Sequence, residues 1–267
     1  MRRLIQFDCC GAALAGTLDE ADGSTGLLIV SGGNEIRSGA HRGMAALASD
    51  IAGAGHPVMR FDRRGIGDSE GENRGFLHSR DDIVAAIAAF RAACPGMRRV
   101  VAFGNCDAAS ALALHQPLAV DALVIANPWT IEQVAGNEMS ALPPAAAIKA
   151  RYWARLRDPA SLARLVRGEV DLSKLGKGIA KLLPRRRATT AGSLGSRVVD
   201  AIAAISHPIT LLLATGDRTA QIFIDHWQAT NAPNVTVSEL DSTGHSFAGK
   251  DADWLRGMLM AVLSQRD

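Results

Sequence analysis

The chain has 267 residues, 48% of them hydrophobic and 21% charged, with a formal net charge of +2. That length and apolar share suffice to bury a sizeable core in one α/β domain with an insertion or in two small domains. So slight a net charge gives the chain as a whole no electrostatic claim on nucleic acid.

The opening stretch "MRRLIQFDCC" alternates apolar and polar residues. Gln6 and Asp8 interrupt any signal-peptide core, and no run in the chain is long enough to span a bilayer, so a cytoplasmic protein without membrane insertion is expected. The alternation predicts an antiparallel lead-in, followed by the buried strand "GLLIVSGG", whose end loop covers 31–38. Met44, Leu47, Ala48 and Ile51 are spaced for an amphipathic helix over 42–53, and "HPVMRFD" returns to strand. A helix over 82–93, the strand "RRVVAFG", a helix over 107–115 and the strand "DALVIANPW" continue the alternation.

An interruption over 134–205 then lacks strand runs. It holds helical patterns ("AAIKARYWARL", "ASLARLV", "GIAKLL") broken by prolines and glycines. It carries 13 Lys or Arg against 5 Asp or Glu, a local excess of eight positive charges that leaves the rest of the chain at −6. Such asymmetry marks a separate subdomain, although for any single arginine a solvated face is the simpler reading. "HPITLLLATGD", a helix over 221–230, the strand "VTVSEL" and a final helix over 252–263 complete the chain. Apolar strands alternating with helices predict a mainly parallel, doubly wound sheet. Its core covers 1–133 and 206–267, with a helical cap over 134–205.

Four cysteines (Cys9, Cys10, Cys94, Cys106) match neither a disulfide framework nor a CxxC metal pattern, and the seven histidines are scattered. Reduced thiols and no metal are expected. Cys9 and Cys10 alternate faces of a strand and Cys94 ends a helix before Pro95, so none of the three acquires a role. Cys106 differs. It stands where a central strand turns sharply into a helix, flanked two residues away on either side by the small residues Gly104 and Ala108. A side chain on such a turn is displayed above the sheet, near backbone N–H groups and the positive end of the helix.

This G-x-C-x-A register resembles the nucleophile elbow of the α/β-hydrolase superfamily, with cysteine in the usual serine place, as in the dienelactone hydrolase branch. The superfamily order of nucleophile, acid and histidine is met downstream by Asp217 in "ATGDRTA" and His245 in "DSTGHSF", both after strands. Glu132, just beyond the sixth strand, is a rival acid. Alone, free cysteine is most often core filler, Asp217 a turn former and His245 a loop cap; the order of all three raises them. "FDRRGIGDSEG" is similar to the superfamily's D-x-R-G-x-G-x-S loop, with Asp62 and Ser69 holding a glycine-rich turn. "SGGNEIRSG" lies in the loop that supplies one oxyanion amide, at Gly33 or Asn34, with the Asp107 amide as the second. The resemblance implies an α/β-hydrolase fold of about eight strands with the cap inserted after strand six.

The implied chemistry is acyl transfer to water through a Cys106–His245–Asp217 triad, without a cofactor, on a small-molecule acyl ester or thioester. Acyl transfer to another acceptor, and a non-catalytic scaffold, are the alternatives. More narrowly, the elbow and "SGGNEIRSGAHR" resemble small hydrolases associated with the exosortase A system of Gram-negative bacteria. The basic segment would then face an acidic acyl carrier, either coenzyme A phosphates or an acyl carrier protein. Trp129, Tyr152 and Trp153 either line the pocket or belong to the core.

Overall fold

A computed structural model describes residues 1–132, 192–227 and 232–265. The lead-in is an antiparallel hairpin of β1 (Arg2–Cys9) and β2 (Ala12–Asp19). β3 (Thr25–Val30), β4 (Val58–Phe61), β5 (Arg99–Asn105), β6 (Ala122–Ala126), β7 (Ile209–Ala214) and β8 (Val235–Leu240) complete one eight-stranded sheet. Its order is β1-β2-β4-β3-β5-β6-β7-β8. β2 runs antiparallel to β4, and every later pair is parallel.

The helices are α1 (Gly43–Gly53), α2 (Arg80–Ala93), α3 (Asp107–Leu114), α4 (Leu194–Ala204), α5 (Arg218–Trp227) and α6 (Ala252–Leu263). They cover both faces, as the unbroken apolar strands require. Successive strand residues point to opposite faces. Leu28, Val30, Val100, Ala102, Leu123 and Ile125 therefore meet α2, α3, α4 and α5, while Leu27, Ile29, Val101, Phe103 and Val124 meet α1 and α6.

Most of the expected cap, including Tyr152 and Trp153, lies outside the described residues. Its last stretch is α4, which the Ser193 hydroxyl caps by accepting from the Ser196 amide at 3.2 Å. Leu194, Val198, Val199 and Ile202 are buried in the cluster that holds α3, each stabilising by about 1.5–3 kcal/mol. The α5 helix begins at Arg218 rather than 221 because the Asp217 carboxylate accepts from the Ala220 amide at 3.1 Å. Nothing among these helices is long and apolar enough to cross a membrane.

Candidate active site

Cys106 sits between the last residue of β5 and the first of α3, with φ 62° and ψ −125°. This left-handed backbone costs a non-glycine residue about 1–3 kcal/mol and persists only where the surroundings impose it. Those surroundings are visible. The Cys106 amide donates to the Ala126 carbonyl at 2.9 Å, and the Cys106 carbonyl accepts from the Trp129 amide at 3.1 Å. A Cβ at Gly104 would stand 2.8 Å from the Ala108 carbonyl carbon and 3.0 Å from the Ala109 nitrogen, so only glycine fits there. Ala108, fully buried, accommodates its methyl. Trp129 packs half-buried against the core and its carbonyl accepts from Ser110 Oγ at 2.7 Å. It braces the elbow.

Asp217 and His245 leave the C-terminal ends of β7 and β8, where ligand sites of open α/β sheets gather. His245 Nδ1 lies 3.0 Å from Asp217 Oδ2. Burial pushes the Asp217 carboxyl up, but hydrogen bonds from His245 and from the Ala220 and Thr219 amides outweigh it and hold the carboxyl below its ordinary value. The imidazole moves the other way. The hydrogen bond with Asp217 and then the neighbouring Cys106 push His245 up to about 10, against the opposing effect of burial. At neutral pH the ring is therefore an imidazolium. Glu132 goes elsewhere: its Oε1 accepts from the Leu194 amide at 2.8 Å, at the start of α4.

The oxyanion side differs from the sequence expectation. The Gly33 amide donates to Asp107 Oδ1 at 2.6 Å, so at rest this donor is taken by the side chain of the residue that follows Cys106. Asp107 Oδ2 lies 3.7 Å from Arg63 Nη2, which also donates to the Gly33 carbonyl. A Cβ at Gly32 would stand 3.0 Å from Asp107 Oδ1 and 3.6 Å from Cys106 Cβ, which shows how closely this loop approaches the elbow. Among the described residues the amides of Asn34 and Asp107 make no hydrogen bond, while the Asn34 side chain accepts from Asn73 at 2.9 Å. Of the two candidates for the first donor, Asn34 thus stays unengaged and Gly33 is engaged, because a carboxylate one residue from the nucleophile can reach it.

The sequence over 27–256 matches the alpha/beta hydrolase family. The chain belongs to the alpha/beta hydrolase family. No curated protein matches the sequence. Among solved structures, the hydrolase fold is similar to that of the alpha/beta hydrolase GrgF from Penicillium sp. sh18, with TM-score 0.65, 16% identity, and 98% of each chain covered. It is also similar to the Pyrococcus furiosus esterase Pf2001, with TM-score 0.62, 17% identity, and 98% of this chain and 89% of that one covered. The haloalkane dehalogenase DatA from Agrobacterium tumefaciens C58 follows with TM-score 0.59 and 15% identity over 98% of this chain and 96% of that one.

In this alpha/beta hydrolase the glycine-rich stretch after β4 holds the loop before α1. Asp62, fully buried, accepts from the Arg37 amide at 2.5 Å and from the Arg37 guanidinium. Ser69 Oγ donates to the Asp62 carbonyl at 2.7 Å and accepts from the Ala15 amide at 2.9 Å. The hydrolase's other thiols have different surroundings. Burial and then the Asp82 carboxylate push the Cys9 thiol up to about 12, and burial raises that of Cys94. Among the described residues no three His, Cys, Asp or Glu side chains come together to hold a metal ion. Arg63, Asn105 and Asn127 escaped the sequence reading. The signal for Asn127 was a polar residue ending an otherwise apolar strand; for Arg63 there was none.

Proposed function

We propose that the protein hydrolyses esters or thioesters by acyl transfer through Cys106, with His245 and Asp217 completing the triad. The observation that carries this reading is the His245 ring, hydrogen-bonded on Nδ1 to Asp217 at 3.0 Å and neighbouring Cys106, which sits at a strained strand-to-helix turn. An imidazolium at rest assigns the order of proton movements. Cys106 attacks the carbonyl carbon as a thiolate, and the tetrahedral oxyanion is met by the Asp107 and Asn34 amides. The intermediate collapses as the imidazolium gives its proton to the leaving alkoxide or thiolate. The neutral ring then takes a proton from water while the hydroxide adds to the acyl-cysteine. Expulsion of the thiolate releases the carboxylic acid and restores the starting pair. Asp217 keeps the ring oriented throughout.

Thioesters of acyl carriers are the substrate class we favour. Coenzyme A phosphates or the acidic helix of a carrier protein would complement the 13 Lys or Arg over 134–205. This agrees with the resemblance to exosortase-associated hydrolases. Charge reversal at Arg185, Arg186, Arg187 and Arg197 should weaken binding of an acyl carrier protein in a salt-dependent manner. Unchanged affinity would remove the carrier from the proposal and leave the ester chemistry standing.

One observation favours a second reading, a scaffold with a silent site: the Gly33 amide is already filled by Asp107. Alkylation by iodoacetamide, followed by peptide mass spectrometry across pH 5–10, separates the two. Rapid labelling of Cys106 at pH 6, lost in His245→Ala, supports the hydrolase; labelling slow and indifferent to His245 supports the scaffold.

A further inference from the structure

We propose that Asn105 and Asn127 are positioning residues that clasp the backbone carbonyl of His245 and thereby set the relative placement of nucleophile, acid and histidine. The inference rests on the triad reading above. Asn105 Nδ2 donates to the His245 carbonyl at 2.9 Å, and Asn127 Nδ2 approaches the same oxygen at 3.3 Å. Each asparagine is tied to another part of the triad. Asn105 is the residue before Cys106. Asn127 directly follows β6 at φ 42°, fully buried, and its Oδ1 accepts from the Ala214 amide at 2.9 Å. Ala214 in turn closes the turn that carries the acid, its carbonyl accepting from the Asp217 amide at 2.9 Å.

The bond from Ala214 also fixes the Asn127 amide. A backbone N–H requires the oxygen, so the nitrogen must face His245. The same nitrogen lies 3.5 Å from Asn105 Oδ1, which links the two clasping side chains. Asn127 thus uses its acceptor on the acid loop and its donors on the histidine loop. No other polar side chain of matching size does both: aspartate keeps the acceptor and turns a second oxygen toward the His245 carbonyl, while leucine removes both. Misplacing a reacting group by about 1 Å can cost on the order of 10²-fold in rate.

The test uses the full chain, with p-nitrophenyl acetate as substrate and NMR titration of the His245 ring, whose facing titratable groups are Asp217 and Cys106. Asn127→Asp and Asn127→Leu should lower kcat about 10²-fold with KM unchanged and move the His245 titration from about 10 toward 6.5. Asn105→Ala, at a half-buried position, should lower kcat by about tenfold with the same direction of titration shift; it decides alone if the Asn127 variants do not fold. Wild-type titration in a folded variant, or a change confined to KM, overturns the clasp. In variants that keep Cys106, the ring titration reports Asp217–His245 pairing whether or not the protein turns over ester. A wild type that neither hydrolyses ester nor labels at Cys106 would therefore sink the hydrolase reading and leave the clasp to be judged by NMR.

Discussion

The two sides of Cys106 are prepared differently. On one side the acid and the histidine are paired at 3.0 Å, and two asparagines hold the histidine loop. On the other, the loop over 31–38 approaches the elbow closely but gives its Gly33 amide to Asp107. The first side is complete before any substrate arrives. The second carries the Asp107 carboxylate on the Gly33 amide, so under the proposed mechanism a substrate oxyanion would have to compete with it for that amide. The difference is one of pairing rather than burial: the acid and histidine are already partnered to each other, whereas the Gly33 amide is partnered to a carboxylate on the elbow itself.

Breaking the complete side should have the largest effect. Asp217→Asn, which keeps the shape but removes the charge that orients the ring, should lower kcat on p-nitrophenyl acetate by about 10⁴-fold; a loss under tenfold would assign the acid role elsewhere. The same side can be discharged by pH. His245 is raised from 6.5 to about 10 by its partners, so its contribution to stability is fully present below about 6.5 and is lost as pH rises through about 10. Denaturant unfolding of wild type and His245→Gln should accordingly differ most near pH 6 and converge by pH 10. A gap independent of pH would mean that the ring is not charged at rest.

The occupied side should respond in the opposite direction. Asp107→Asn replaces a charge-assisted bond to the Gly33 amide by a neutral one, which eases displacement by about 1 kcal/mol and should raise kcat/KM about fivefold. A fall would show that the carboxylate holds the loop in its working shape. Smallest of all is Glu132→Ala, on neither side. Loss of its bond to the Leu194 amide at the start of α4 should cost at most about 1 kcal/mol in thermal unfolding, with hydrolysis unchanged.

Much of this was legible in the sequence, for a physical reason. Runs such as "GLLIV" and "LVIA" are buried on both faces, so strands β3 to β7 announce themselves by composition, whereas the half-exposed lead-in hairpin shows only by alternation. The elbow was legible too, since Gly104 must lack a side chain against the Ala108 backbone. Asp217 and His245 were legible as polar residues directly after strands. What stayed hidden depends on where side chains point across long separations. The Gly33–Asp107 bond joins residues 74 apart, and the clasp joins residues 118 and 140 apart. No local pattern encodes a direction at that range. The start of α5 escapes the sequence for a related reason: Asp217, legible as a turn former or as the acid, also caps the helix by accepting from the Ala220 amide.

The backbone of Cys106, at φ 62°, has a consequence for directed evolution. Glycine adopts that conformation without penalty, so Cys106→Gly should unfold at a higher temperature than the wild type while losing the thiol. A library screened for heat resistance alone would enrich this dead variant. Activity has to be part of the selection, with added stability sought far from the elbow.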